Sequence, residues 1–402
     1  MPVLVPSEAR CHSRKTRDFG GLYAALVLLS FHAALVLYIN SSFLESHVSK
    51  ESTSLLYTAS SLLTVGAFLV MSKLLNRFGN VRTLTTLTYV EGIALFLMPF
   101  TTHPILVALL FTIHQVLVPL LLFTLDIFME SLTGTCEDDT GGRRGLFLTI
   151  MSLTMALSAL LSGYLMGDGE PQYFLVYMTS AFLLIPFLII VRRTFHTWTD
   201  TIYHDTRLFG GFTRFLRERD IRNVLLAHFT LQVFFSWMVI YMPLYLNQEL
   251  GLPWTEVGRV LFVGLMAYVV LEYIIGVIAD TRLGEKEMMA LGFLILAVAT
   301  SWFTFLNEAT IPLLMLAMFL TRVGASLVEA TTESYFFKHT KDEDTALISF
   351  FRITRPFSMV VGALLGTVAL TFSGESMQGL FVILGFLMIP GFFFTMQLRD
   401  TR

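Results

Sequence analysis

The run 311–335 is apolar and long enough to cross a bilayer as one helix, yet it carries Arg322, Glu329 and Glu333. Spacings of seven and then four residues return side chains to nearly the same azimuth at 3.6 residues per turn, so the three charges form one stripe. A charge at bilayer depth costs at least about 2.5 to 3.5 kcal/mol. Such a stripe therefore turns toward a bundle interior or a water-filled cavity, and the chain must supply enough other helices to enclose it. The first half repeats the pattern. Asp126 and Glu130 lie four apart at the end of another apolar run, and adding 203 to each number gives Glu329 and Glu333. The expected architecture is two related halves around an internal polar site.

Hydrophobic residues make up 55% of the 402 residues and charged residues 14%, with a mean hydropathy of +0.70, which excludes an ordinary soluble globular chain. The net charge of −3 gives no reason to expect a nucleic-acid partner. Cys11 and Cys136 have neither metal-ligand nor CxxC spacing, so no disulfide framework, metal site or cofactor is expected. Residues 1–18 are polar and basic. The following run is longer than a signal-peptide core and lacks a small-residue cleavage site, so it is read as a first span rather than a cleaved signal.

About 20 apolar residues are needed per span. Runs of that kind occur at 19–43, 53–75, 83–100, 105–132, 146–166 and 172–191, and again at 223–247, 256–279, 287–306, 311–335, 346–372 and 377–397. The fold class expected is an all-α membrane protein with twelve transmembrane helices in two six-helix halves, 1–191 and 223–402, joined by a linker at 192–222. All of the 27 Lys and Arg residues except Lys50, Arg259 and Arg322 fall at the termini, in the linker or in loops on the linker's side. The positive-inside rule then places both termini and the linker in the cytoplasm. Within the linker, Arg214, Arg217, Arg219 and Arg222 alternate with Phe212, Phe215 and Leu216. This suits either an amphipathic helix on the inner leaflet or a solvated hinge.

After the second span come Ser72, Asn76, Arg77, Gly79, Asn80 and Arg82; after the eighth come Gly276, Asp280, Arg282, Gly284 and Lys286. Adding 204 to Ser72 gives Gly276, and adding 204 to Phe19 gives Asn223 at the start of span seven. These loops resemble the G-x-x-x-D-R-x-G-R-R signature of the major facilitator superfamily. The resemblance covers nearly the whole chain. It implies a lock in which the acid caps a neighbouring helix and pairs with an arginine, holding the cytoplasmic side closed. Asp280 keeps the acid, whereas Asn76 replaces it in the first copy. The resemblance also implies that helices 1, 4, 7 and 10 surround a central cavity and that 3, 6, 9 and 12 lie outside.

Charge placement agrees. Spans six, nine and twelve have long stretches without Asp, Glu, Lys, Arg or His, while His32, His114, Gln115, Asp126, Glu130, His228, Gln232, Arg322, Glu329 and Glu333 lie in spans one, four, seven and ten. Glu91 in span three is the exception, and it is expected to turn inward against a partner. The candidates for substrate contact or coupling are His32, His114, Gln115, Asp126, His228, Arg322 and Glu329. Each has a plain alternative as a satisfied interior hydrogen bond or ion pair. Gate candidates are Asn76, Arg77, Glu130, Arg144, Asp280, Arg282, Glu333, Arg352 and Arg355. Trp237 and Tyr241 are either aromatic walls or core. Arg322, being costly unpaired, is expected to pair with Glu329 or Asp126 in the empty protein.

The function expected is a secondary active transporter that moves a small solute across the plasma (inner) membrane by alternating access with proton coupling, acting as a monomer. A drug or metabolite efflux antiporter is an alternative, though the stretch 156–163 lacks the proline of the drug antiporters' helix-5 motif. A non-transporting sensor of the same fold is another. The absence of G-x-x-x-x-G-K-[ST], G-x-S-x-G and H-E-x-x-H excludes ATP-driven pumping and the common hydrolase sites, so no catalytic residue is assigned.

Overall fold

The structure, a computed structural model, describes residues 7–133, 140–200, 203, 208–281, 284–306, 310–340, 345–372 and 376–399. Described residues are overwhelmingly helical and include no strand. Twelve helices are long and apolar enough to cross a membrane. In the first half these are α1 (Ser7–Leu37), α3 (Lys50–Phe78), α4 (Asn80–Leu97), α5 (Pro104–Thr133), α6 (Thr140–Met166) and α7 (Tyr173–Thr194), with a short α2 (Asn40–Glu45) between the first two. A linker helix α8 (Leu208–Arg217) leads to α9 (Arg219–Ile240) and its brief continuation α10 (Met242–Leu244). The second half is completed by α11 (Trp254–Thr281), α12 (Glu285–Trp302), α13 (Ile311–Lys338), α14 (Thr345–Phe372) and α15 (Met377–Met396).

Local chemistry explains the breaks. Ser49 caps α3 by accepting a hydrogen bond from the Ser52 amide at 3.3 Å. One residue, Gly79 at φ +79°, turns α3 into α4, a conformation that a side chain would resist. Span seven, read as continuous to residue 247, is interrupted at Tyr241, where Pro243 removes a backbone donor, and it resumes as a π turn over Tyr245–Glu249. Hydroxyls within the spans bond back to carbonyls one turn earlier, as Thr58 does to Ser54 and Thr64 to Ser60. That is how polar residues are tolerated in apolar helices.

Helices α4, α7, α12 and α15 carry outward aliphatic and aromatic side chains, among them Ile93, Phe182, Val298 and Phe386, which form a lipid-compatible girdle. The second-half core gathers around α9, which is 72% buried over its apolar window. The halves meet along α6 against α11 and α3 against α14. At the α6–α11 crossing the helices touch through bare backbone, since a Cβ on Gly258 would lie 2.9 Å from the Gly163 Cα.

The two ends of the bundle differ. At the end away from the linker, the halves are tied by Ser54 to Tyr241 (3.0 Å), Gln248 to Glu45 (3.0 Å), Thr255 to Asp168 and Arg259 to Tyr164 (3.2 Å). At the linker end one arginine of α14, Arg352, reaches across to the acids of α5 in the first half. There α8 does not stand free, because Phe212 and Phe215 lie 6.3 and 5.8 Å from the ring of Phe350 on α14.

Candidate functional site

Arg322 occupies the middle of α13 and is 2% exposed. Its guanidinium lies over the ring of Phe234 on α9, 5.5 Å from the centroid, and acts electrostatically on the Tyr38 hydroxyl at the end of α1. The expected pairing with Glu329 or Asp126 is absent. Among the described residues Arg322 makes no ion pair, and its Nε has no hydrogen-bond acceptor. The acids are taken by α14 instead. Arg355 reaches Glu329 at 3.2 Å, and Arg352 reaches Asp126 at 3.7 Å and Glu130 at 3.8 Å. A sequence stripe fixes azimuth on one helix but not the height of a neighbour's arginines, and here α14 brings its two arginines beside the acids at the linker end. Subtracting 203 from Arg322 lands on Pro119, so the buried cation has no counterpart in the first half.

Arg355 also donates to Gln232 Oε1 at 3.2 Å, and Gln232 Nε2 lies 3.4 Å from His228 Nε2. His228 stacks on Phe351 with centroids 4.2 Å apart. The linker-end cluster thus joins α9, α13 and α14, and through Arg352 it crosses to α5. Its arginines and Glu130 are exposed, Arg355 and Glu130 each to 64%, while Asp126 and Glu329 are partly exposed and His228 and Gln232 are buried. Glu333 lies one turn nearer the linker end of α13 and is half-buried. Gln115 is half-buried on α5 and makes no side-chain hydrogen bond among the described residues. Trp237 is core, its indole N–H donating to the Gly362 carbonyl at 2.7 Å.

The loop signatures behave differently. Asn76 bonds twice to the backbone of Tyr203 in the linker, donating to its carbonyl at 2.6 Å and accepting from its amide at 2.9 Å. Asp200, also from the linker, accepts from the Asn80 amide at the start of α4 (2.8 Å) and from the Tyr203 hydroxyl (2.7 Å). A carboxylate thus caps a helix beside the signature after all, but it arrives from the linker. Burial, with the adjoining Asp200 charge, pushes the Tyr203 phenol well above its ordinary range. Arg77 is exposed over its neighbour Phe78. The side chains of Arg144 and Asp280, and all of Arg282, lie outside the described residues.

A third cluster lies inside the first half. Glu91 on α4 is fully buried, with its Oε1 2.5 Å from His114 Nδ1 on α5 and 3.3 Å from His32 Nε2 on α1. Asn40 Nδ2 lies 3.3 Å from His114 Nε2, and Asn40 Oδ1 accepts from the Tyr177 hydroxyl at 2.7 Å. His32 and His114 therefore face Glu91 rather than the space beside Arg322. Sequence reading located each of these residues but not their convergence from separate helices.

The Major Facilitator Superfamily model matches residues 22–282 and 224–402. The architecture is similar to that of the nucleoside transporter NupG, solved as a crystal structure of a point mutant, with a TM-score of 0.73, 14% sequence identity and coverage of 93% of this chain and 99% of that one. No curated protein matches the sequence significantly.

Proposed function

Because the chain belongs to the major facilitator superfamily, we propose that it is a transporter that moves a small anionic or polyhydroxylated solute by alternating access, with Arg322 as the group that holds the solute. The observation that carries this reading is the buried guanidinium with no counter-charge among the described residues. A buried cation without a partner is costly, and a ligand carboxylate, phosphate or row of hydroxyls supplies the missing acceptors. Nucleosides belong in the first panel, since ribose offers such hydroxyls and NupG is a nucleoside transporter.

In this reading the segments 1–191 and 223–402 rock about the linker 192–222, with the linker end cytoplasmic and the chain a monomer in the plasma (inner) membrane. The direct ties at the far end, beside the solvent-open cluster at the linker end, support an inward-facing conformation. Closing the linker end would bury the Arg355–Glu329 and Arg352–Asp126 contacts. An acid separated from its arginine in a dry environment takes up a proton more readily, so these acids couple solute movement to protons.

The test is a thermal-shift screen of purified protein against nucleosides, monosaccharides and small carboxylates, followed by uptake into proteoliposomes. A hit should accumulate inside vesicles when a pH gradient is imposed. Glu329→Gln should abolish that response while leaving exchange at equal pH. Gradient-driven accumulation persisting in both Glu329→Gln and Asp126→Asn would remove the coupling role, and a hit bound without any flux would favour a sensor.

A further inference from the structure

The cluster of His32, Glu91 and His114 takes no part in the solute site or the linker-end gate, and with both histidines neutral it would hold a carboxylate at zero exposure with no cation beside it, which is costly. His32 Nδ1 lies 3.0 Å from both the carbonyl and the hydroxyl oxygen of Ser180, so it donates to the first or accepts from the second. Where Nδ1 donates, a neutral ring leaves a lone pair on Nε2, 3.3 Å from Glu91 Oε1. Two acceptors in contact at zero exposure are unfavourable unless a proton lies between them. Neither His32 Nε2 nor Glu91 Oε2 has a hydrogen-bond partner among the described residues. His114 supplies a second constraint. With Tyr177 donating to Asn40 Oδ1, the Asn40 amide directs its NH2 at His114 Nε2, so His114 is held as the Nδ1–H tautomer, which donates to Glu91.

We infer that His32, Glu91 and His114 form a proton-binding site, and that occupancy by a proton is relayed through Asn40 to the seal between the halves at the end away from the linker. The proton comes from solution and sits between His32 Nε2 and Glu91 Oε1. Its loss leaves a buried carboxylate with no cation beside it. The charged and titratable groups facing Glu91 are His32 on α1 and His114 on α5, with Tyr177 of α7 beyond Asn40 and Tyr57 and Tyr173 behind it. No group of three or more His, Cys, Asp or Glu among the described residues is placed to hold a metal ion, so the ligand is the proton itself.

The relay is short. Asn40 opens α2, whose last residue Glu45 accepts from Gln248 of the second half at 3.0 Å, and Ser42 of α2 is tied to Tyr173 at 2.8 Å. Ser42, Glu45, Tyr173 and Gln248 line a cleft of about 490 Å³ between the halves. A shift of Asn40 in response to the charge on Glu91 therefore moves one wall of the seal. The proton site stands on geometry alone, whereas the relay rests on the alternating-access reading above. Glu45 is a second titratable group at that end. Burial, helped by the charge of Glu51, raises its carboxyl above the ordinary range despite Gln248 and Lys50, so Glu45 favours its proton when sealed. A Glu45→Gln control separates the two.

The experiment uses full-length protein in lipid nanodiscs without solute, with Cys11→Ser and Cys136→Ser and spin labels at Thr102→Cys and Thr310→Cys, exposed positions on the two halves at the sealed end. Raising the pH should convert a short inter-label distance into a longer one over a single window. Glu91→Gln and His32→Gln should stay short throughout, while Glu45→Gln keeps the transition. Imidazole 15N shifts of the unsubstituted chain, assigned against His32→Gln, should titrate over the same window, and this readout does not require the Glu91 variant to fold. Flat 15N shifts, or a distance transition that survives Glu91→Gln, would overturn the proton site. Titration without a distance change would overturn the relay. A chain that titrates and moves but transports nothing would count against the proposed function and leave this inference standing.

Discussion

A side chain kept for binding should weaken the fold that holds it, and Arg322 invites that comparison. Its guanidinium has a ring face and a distant hydroxyl dipole for company, and replacing even a paired buried charge by apolar side chains of similar volume is often neutral or stabilising by about 1 to 4 kcal/mol. Arg322→Met should therefore raise the melting temperature of the empty protein while abolishing the ligand-induced shift and uptake. A lowered melting temperature would mean that the arginine holds the structure together. The sequence made Arg322, Asp126 and Glu329 legible as interior groups, because a charge inside an apolar run has few other places to go. It did not reveal their partners. Arg352 and Arg355 belong to another helix whose height relative to α13 is a product of packing, and Glu91 meets histidines from two further helices.

At the scale of elements, the start of α4 depends on a residue far away in the chain. Asp200 accepts the Asn80 amide, and a Cβ on Gly79 would come within 2.4 Å of Asp200 Oδ2. Loss of such a cap costs about 0.5 to 2 kcal/mol. Asp200→Ala should lower the melting temperature and speed proteolysis in the linker, whereas Asp200→Asn, which keeps the acceptor, should do much less. Equal behaviour of the two variants would show that the cap contributes nothing. The spans themselves were readable, because hydrocarbon thickness imposes a length that composition reports directly. What composition could not separate was α2 from α1, since Tyr38 and Ile39 continue the apolar run through the break, or the π turn after Pro243 from the rest of span seven. The linker showed its basic and aromatic residues but not that Phe212 and Phe215 settle on α14.

For the whole molecule, the crossing of α6 and α11 limits how the halves can be arranged. A Cβ on Gly258 would lie 2.8 Å from the Ala159 carbonyl oxygen, with backbone on every near side. Gly258→Leu should force the helices apart, lengthen the Thr102–Thr310 label distance at all pH values and slow solute flux. An unchanged distance would show that the contact yields. In the native chain the two helices meet there with no side chain interleaved. Tilting one across the other thus requires no rotamer to leave its well, and the crossing acts as a plain bearing. In the proposed alternating-access cycle, resistance to turning comes from latches away from this point, among them the Ser54–Tyr241 and Glu45–Gln248 bonds, so weakening those latches should set the tempo of the cycle while the bearing sets only its direction.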